Sequence, residues 1–410
     1  MDKVLGIIAE YNPFHNGHLY HLRKAKELTN AKYTVSVISG NFTQRGDTSL
    51  VDKWSKTKAA LSSGIDLVIE LPTLYSISSA ENFSSGAIKI LDSLNIIDFL
   101  AFGSETDDID FLDKLSDVLY LEPEGYKKIL LDTLDKGFSF PKAREIALYK
   151  YLNLNYDCLD VISSPNNILA IEYLKALKRF NGNIKPVPIL RNEVGYNDLN
   201  YSNNIASATA IREMIKNKNY SLVKNFVPKT SYSVIYENIK LGHIVPDLSA
   251  FEKEIFYSLR KMDIKEIANL PDVLEGLEFA IKKSCNLSNN IYELINNIKS
   301  KRYTTTRLQR IMLYALLGIT KNDMEISKNI LPYVRILGFN SNGKFLLSKI
   351  AKANPNLNIV TSVKRFYDEI SDDNLKTIFD KDILSTNIYT LAYKKSSVGN
   401  LDFSTNIISL

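Results

Sequence analysis

Three of the chain's four histidines lie within twelve residues, EYNPFHNGHLYH, from Glu10 to His21. They follow an apolar run, Val4-Leu5-Gly6-Ile7-Ile8-Ala9, that reads as a buried strand. They open a segment, Gly17–Leu28, whose apolar residues recur at helical spacing. Pro13 stiffens the turn between the two, and Gly17, lacking a side chain, lets a ligand come close to the backbone. A helix N-terminus presents free N–H groups and the positive end of the helix dipole, which suits a phosphate. His15 and His18 are three residues apart and face one point across the first helical turn. Two imidazoles donating to phosphoryl oxygens would stabilise the charge that builds during attack at phosphorus, at about 3 kcal/mol for one well-aimed donor. Neither a Walker A pattern nor GxGxxG occurs, so this is a phosphate site of another kind. His18 and His21 share a helix face, but no paired cysteine or carboxylate cluster completes a metal set there.

The elements that must carry this turn alternate through the first half. Strands are expected at Val4–Ala9, Thr34–Ile38, Leu67–Leu71, Phe99–Phe102 and Lys185–Leu190, and helices at Gly17–Leu28, Asp52–Ser62, Ala80–Leu94 and Asn167–Arg179. Continuous apolar strands alternating with helices imply a doubly wound α/β domain with a parallel sheet. Its ligand crevice lies at the C-terminal ends of the strands. Residues 107–156 read as a helical insertion, expected to cap that crevice. From residue 218 onward helical patterns dominate, with a small α/β element at Tyr333–Phe339, Gly343–Ala353 and Leu357–Val360. The expected division is therefore 1–217 and a mainly helical 218–410.

At 410 residues, 45% hydrophobic and 24% charged, the chain can bury a sizeable core. No apolar stretch approaches the ~20 uncharged residues of a membrane span, and no secretory leader pattern opens the chain. Cys158 and Cys285 offer neither metal spacing nor a disulfide framework, which suits a reducing cytoplasm and buried thiols. Residues 1–217 hold 24 basic and 27 acidic side chains, a net −3, whereas 218–410 hold 27 and 19, a net +8. The second half thus suits a polyanion, although a solubilising lysine surface gives the same count. No obligate protein partner is indicated.

HNGH in a strand–turn–helix resembles the HxGH signature of the HIGH nucleotidyltransferase superfamily, a Rossmann-like α/β fold. A second signature of that superfamily, ISSTxIR-like, is matched by Ile205-Ala206-Ser207-Ala208-Thr209-Ala210-Ile211-Arg212. Ser207 is the expected N-cap of the helix that begins there, with neighbouring N–H groups left for the β- and γ-phosphates. Ala208 stands where the signature has a serine, so one hydroxyl is missing. With EYNPFHNGH, GNFTQRG (Gly40–Gly46), FGSE (Phe102–Glu105), SPNNILAIEY (Ser164–Tyr173) and RYTTTRLQR (Arg302–Arg310), nearly the whole chain is similar to the tRNA(Met) cytidine acetate ligase family.

That resemblance implies a ligase that activates acetate with ATP to acetyl-adenylate. It then acetylates N4 of the wobble cytidine in elongator tRNA(Met). It implies an ATP site built from Ile8, Ala9, Glu10, Tyr11, Asn12, Pro13, Phe14, His15, Asn16, Gly17, His18 and His21. Gly103, Asn166 or Asn167, Arg191, Ser207 and Thr209 complete the set. His15, His18 and Arg191 would stabilise phosphoryl charge, and Mg²⁺ would accompany ATP with no protein ligand evident. Thr43, Gln44 and Arg45 would meet the acceptor or the small carboxylate, while Asp47 reads equally as a turn cap. Arg302, Arg307 and Arg310, with Lys301, would contact the tRNA backbone. Tyr20, Phe256 and Tyr314 read as core. Two rival readings share part of these features. One is an adenylyl- or cytidylyltransferase acting on a small phosphorylated acceptor, which needs no basic second half. The other is a non-catalytic RNA-binding protein, which does not need the intact histidine pair.

Overall fold

The computed structural model describes residues 2–155, 158–180, 182–191, 204–395 and 398–410. Strands β1 (Val4–Ala9), β2 (Tyr33–Ser39), β3 (Leu67–Leu71) and β4 (Phe99–Ser104) form where mostly apolar runs are covered on both faces, and β5 (Lys185–Leu190) forms the half-buried edge beside β4. All five are parallel, in the order β5-β4-β1-β2-β3. Alternation along each strand divides the core. Leu67 and Ile69 face the helices Ala80–Ser93 and Pro165–Phe180, whereas Val68 faces the helices Asn16–Thr29 and Lys53–Leu61.

The small α/β element of the second half does not stand apart. Its strand β6 (Val334–Phe339) lies antiparallel against β3, and β7 (Ile359–Val360) and β8 (Ile408–Ser409) continue from β6. The reason is electrostatic as well as apolar. Arg335 is directly opposite Glu70 in the register and ion-pairs with it at 3.3 Å. Lys53 reaches the same Glu70 at 3.0 Å and Asp402 at 2.7 Å, and Asp402 also pairs with Arg335. All four groups are buried, so removing any one would leave a charge unpaired in the interior, at about 3–5 kcal/mol.

The insertion forms three helices, Ile109–Leu121, Glu124–Asp135 and Phe140–Tyr151. The expectation that it caps the crevice is corrected: none of the described residues between Gly103 and Asn166 lines the cavity described below. Leu112, Leu115, Tyr126, Ala147 and Leu148 instead bury themselves with the helix Pro165–Phe180, on its outer side. The second half has its own helical core, but Phe42, Leu74 and Ile77 of the first half belong to it. Leu50 and Val51 likewise pack with Ile211, Ile215, Val223, Val227 and Ile235.

Candidate functional site

The C-terminal ends of β1, β4 and β5, with the loop that follows β2, surround a cavity of about 360 Å³. His15 is itself the N-cap of the helix Asn16–Thr29, in extended conformation. Its Nδ1 accepts the Gly17 N–H at 3.0 Å, and the His15 N–H donates to Nδ1 of His18 at 3.2 Å. The two rings stack at 3.8 Å between centroids. This reciprocal arrangement settles the tautomers. A ring nitrogen that accepts from a backbone N–H carries no proton, so each neutral imidazole carries its proton on Nε2. Burial, helped by the charge of Arg191, lowers the His15 pKa to about 3. Burial does the same to His18, with repulsion from His15, His21 and Arg191 adding to it. The pair therefore offers two uncharged Nε2–H donors on the cavity wall.

His21 stands one turn further along. Burial and Arg191 bring it down to about 4, against the opposing hydrogen bond to the Phe102 backbone, and Nε2 has no partner among the described residues. Arg191 leaves β5 with its N–H bonded to the Ser104 carbonyl at 2.9 Å. Its guanidinium donates to Asn166 Oδ1 at 3.2 Å. A Cβ at Gly103 would sit 3.4 Å from Arg191 Cδ, an ordinary contact, so the protein itself does not demand glycine there. Gly17 is different: a Cβ would come within 2.9 Å of the His15 ring. Its reason is room for the capping imidazole, which the reading by ligand approach did not include.

The expected residues divide between wall and frame. Ile8, Ala9, Glu10, Tyr11, His15, Gly17, His18, His21, Gly103, Asn166, Arg191 and Ser207 line the cavity, with Gln44 and Arg45 of the loop after β2. Asn12, Pro13, Phe14, Asn16, Asn167, Thr209 and Thr43 do not. Asn12 is spent on Thr48 and Leu50, at 2.9 and 2.7 Å. Phe14 is core. Asn16 ties the turn to the Asn204 and Asn225 carbonyls, at 2.9 and 3.0 Å. Asn167, 0% exposed, bonds Ser104, Glu105 and Val161 and holds β4 to its helix, which leaves Asn166 as the member of the pair on the wall. Thr43 closes its own loop onto Asp47 at 2.9 Å, and Thr209 accepts from Arg212 at 3.4 Å.

Sequence reasoning missed much of the apolar wall: Ile7, Phe83, Phe102, Leu169, Tyr173, Ile189, Leu190, Ile205 and Ala206. Tyr20, read as core, also lines it. Three of these carried a signal. Phe102 immediately precedes Gly103 at a strand end, and Ile205-Ala206 immediately precede the N-cap Ser207, whose Oγ accepts the Ala210 N–H at 3.1 Å. Asp47 is a cap, accepting the Thr48 and Leu248 N–H groups at 2.8 Å each. Arg212 of the second signature donates to the Asn12 carbonyl at 3.1 Å and so joins the two signatures.

Within the arginine cluster, the expectation for Arg310 is corrected. Arg302 is 48% exposed and pairs with Glu275. Arg307 lies over Tyr303 and donates to the Asp272 carbonyl at 2.6 and 3.2 Å. Arg310 is 8% exposed and reaches Asp272 at 3.4 Å, so it is not an open phosphate contact. Helical spacing alone could not show this, because the helix Thr305–Leu317 is buried along most of its length. Gly46, at φ +78°, packs so closely there that a Cβ would come within 2.4 Å of the Arg310 nitrogen. The loop that carries Gln44 and Arg45 and the arginine segment are thus in direct contact.

The chain matches the family described as HIGH Nucleotidyl Transferase over residues 2–402. It is 44% identical over 409 residues to the tRNA(Met) cytidine acetate ligase of Thermoanaerobacter sp. (strain X514), covering 99% of this chain and 100% of that one. The enzyme of the same name from Acetivibrio thermocellus is 43% identical over 414 residues, covering 99% of each chain. The crystal structure of Thermotoga maritima TmcAL bound with alpha-thio ATP superposes with a TM-score of 0.93 at 32% identity, covering 100% of this chain and 99% of that one.

Proposed function

Since the chain belongs to the tRNA(Met) cytidine acetate ligase family of HIGH nucleotidyl transferases, we infer that it is an ATP-dependent ligase that makes N4-acetylcytidine at the wobble position of elongator tRNA(Met). Acetate attacks the α-phosphate of ATP, pyrophosphate leaves, and the cytidine N4 takes the acetyl group from the resulting acetyl-adenylate with release of AMP. The observation that carries this reading is the His15–His18 pair, whose backbone-fixed tautomers leave two neutral donors beside a helix N-terminus. Such donors cost no reorganisation when charge builds on phosphoryl oxygen.

Arg191 supplies the positive charge on the same wall, and Ser207 with the free N–H groups behind it supports the distal phosphates. Glu10, Tyr11, Gly17, Gly103 and Asn166 frame the nucleotide. Among the described residues no group of three His, Cys, Asp or Glu could hold a metal. We therefore take Mg²⁺ as part of the ATP substrate, held by phosphate oxygens and water. Arg45, exposed at the rim, is placed for acetate or for a tRNA phosphate. Activation belongs to the first half of the chain, and the basic second half, from about residue 218, receives the tRNA. No helix among the described residues is long and apolar enough to cross a membrane. We place the protein in the cytoplasm, where ATP and tRNA are found.

Nucleoside analysis of tRNA(Met) incubated with the protein, ATP and labelled acetate tests this. Labelled N4-acetylcytidine should form with AMP and pyrophosphate. A stable nucleotidylated small molecule without free AMP would favour the rival transferase.

A further inference from the structure

Acetyl transfer must dispose of a proton. As the cytidine N4 bonds to the acetyl carbon, the bond from that carbon to the phosphate oxygen breaks and AMP leaves with the electron pair. The new amide nitrogen then sheds one hydrogen. The cavity offers few places for it. His15 and His18 already hold their protons on Nε2 and use Nδ1 to cap the helix. Burial pushes the Tyr11 phenol up to about 12, and that of Tyr173 upward as well, so neither is a base. Arginine, asparagine and glutamine cannot accept.

Glu10 is the single carboxylate among the cavity-lining residues described. Its Oε1 accepts the Gln44 N–H at 2.8 Å, and Oε2 has no hydrogen-bond partner among the described residues. Its backbone is clamped. The buried Lys56 donates to the carbonyls of Glu10 at 3.1 Å, of Ser39 at 2.6 Å and of Gly40 at 2.6 Å, tying the end of β1 to the end of β2. The carboxylate therefore lies on the cavity wall against the loop that carries Gln44 and Arg45.

We propose that Glu10 is the general base of acetyl transfer: its Oε2 takes the N4 proton as the C–N bond forms and passes it to water after AMP has left. This rests on the ligase reading above. The other bare lone pair, His21 Nε2, belongs to a ring bonded to Phe102 on β4, across β1 from the loop that carries Gln44 and Arg45.

The test uses Glu10→Gln, whose amide oxygen still accepts from Gln44 but cannot act as a base. Two rates are measured on the full-length protein. One is acetate-dependent ATP–pyrophosphate exchange. The other is single-turnover acetylation of tRNA(Met) added to protein preloaded with ATP and acetate. The ratio of transfer to exchange should fall about 10²- to 10⁴-fold, the usual span for losing a general base. Glu10→Asp should recover part of it. An unchanged ratio overturns the assignment, since AMP or water would then take the proton. So does a selective loss of transfer in His21→Gln. Failure of the wild-type protein to acetylate tRNA(Met) at all would sink the ligase reading instead.

Discussion

Replacing His15 by asparagine separates two things this residue does at once. One edge of the ring caps the helix Asn16–Thr29 by accepting the Gly17 N–H at 3.0 Å, and the other carries the Nε2–H. Asparagine is among the best N-caps and can keep the first role, but it is too short to place a donor where Nε2 stands. Losing a cap costs typically about 1 kcal/mol, within a range of roughly 0.5–2. Losing one preorganised donor at a developing charge costs about 2.7–4 kcal/mol of barrier, or 10²- to 10³-fold in rate. His15→Asn should therefore unfold in urea within about 1 kcal/mol of wild type, the stack on His18 being the main loss. Its acetate-dependent ATP–pyrophosphate exchange should drop 10²- to 10³-fold by the same estimate. His15→Ala should show the same drop in exchange and a further loss of about 1 kcal/mol in stability. Near-normal exchange in His15→Asn would refute the donor role and leave a cap alone. Equal destabilisation by both substitutions would refute the capping role.

His15 and His21 lie near 3 and 4, so no imidazole should titrate in the exchange rate between pH 6 and 8, and an inflection near 6.5 would contradict their neutrality. Their folded pKa values lie below the unfolded one, so the unfolded chain binds protons first and stability falls as pH drops below about 6.5. In urea unfolding, His21→Gln should remove on the order of 2 kcal/mol of the loss between pH 7 and pH 5, and an unchanged pH slope would refute this. Arg310→Ala should cost about 1–3 kcal/mol and depress exchange and tRNA binding together, because Arg310 is buried beside the loop that carries Gln44 and Arg45 while its partner Asp272 is partly exposed. Arg302→Ala, at an exposed ion pair, should stay within about 0.5 kcal/mol of wild type by thermal unfolding. Arg45→Gln should weaken tRNA(Met) binding and lower the slope of log affinity against log salt by about 0.7–0.9, the value for one phosphate contact.

The central strands were legible because both of their faces are buried, so each is an apolar run that needs no partner to be recognised. The histidine turn was legible because rare residues cluster there. What the sequence concealed are contacts between distant segments. Nothing near Arg335 announces that it lies opposite Glu70, so the joining of β6 to the sheet could not be read locally. Asn166 and Asn167 are chemically identical and adjacent. Only the position of Ser104 and Glu105 determines which of them is turned inward. Tyr20 and Arg310 both follow helical spacing, but spacing names a face without saying what covers it. The tautomers of His15 and His18 depend on where two backbone N–H groups point, which no composition or pattern conveys.

The most direct measurement is the fate of the acetate oxygens. With acetate labelled by ¹⁸O at both positions, attack on the α-phosphate places one labelled oxygen in the bridge of acetyl-adenylate. Cleavage by the cytidine N4 then leaves that oxygen on AMP and the other in the acetyl carbonyl. Mass spectrometry should find one ¹⁸O in AMP for each N4-acetylcytidine formed, and unlabelled pyrophosphate. Unlabelled AMP accompanying labelled acetylcytidine would contradict activation through an acetyl-adenylate.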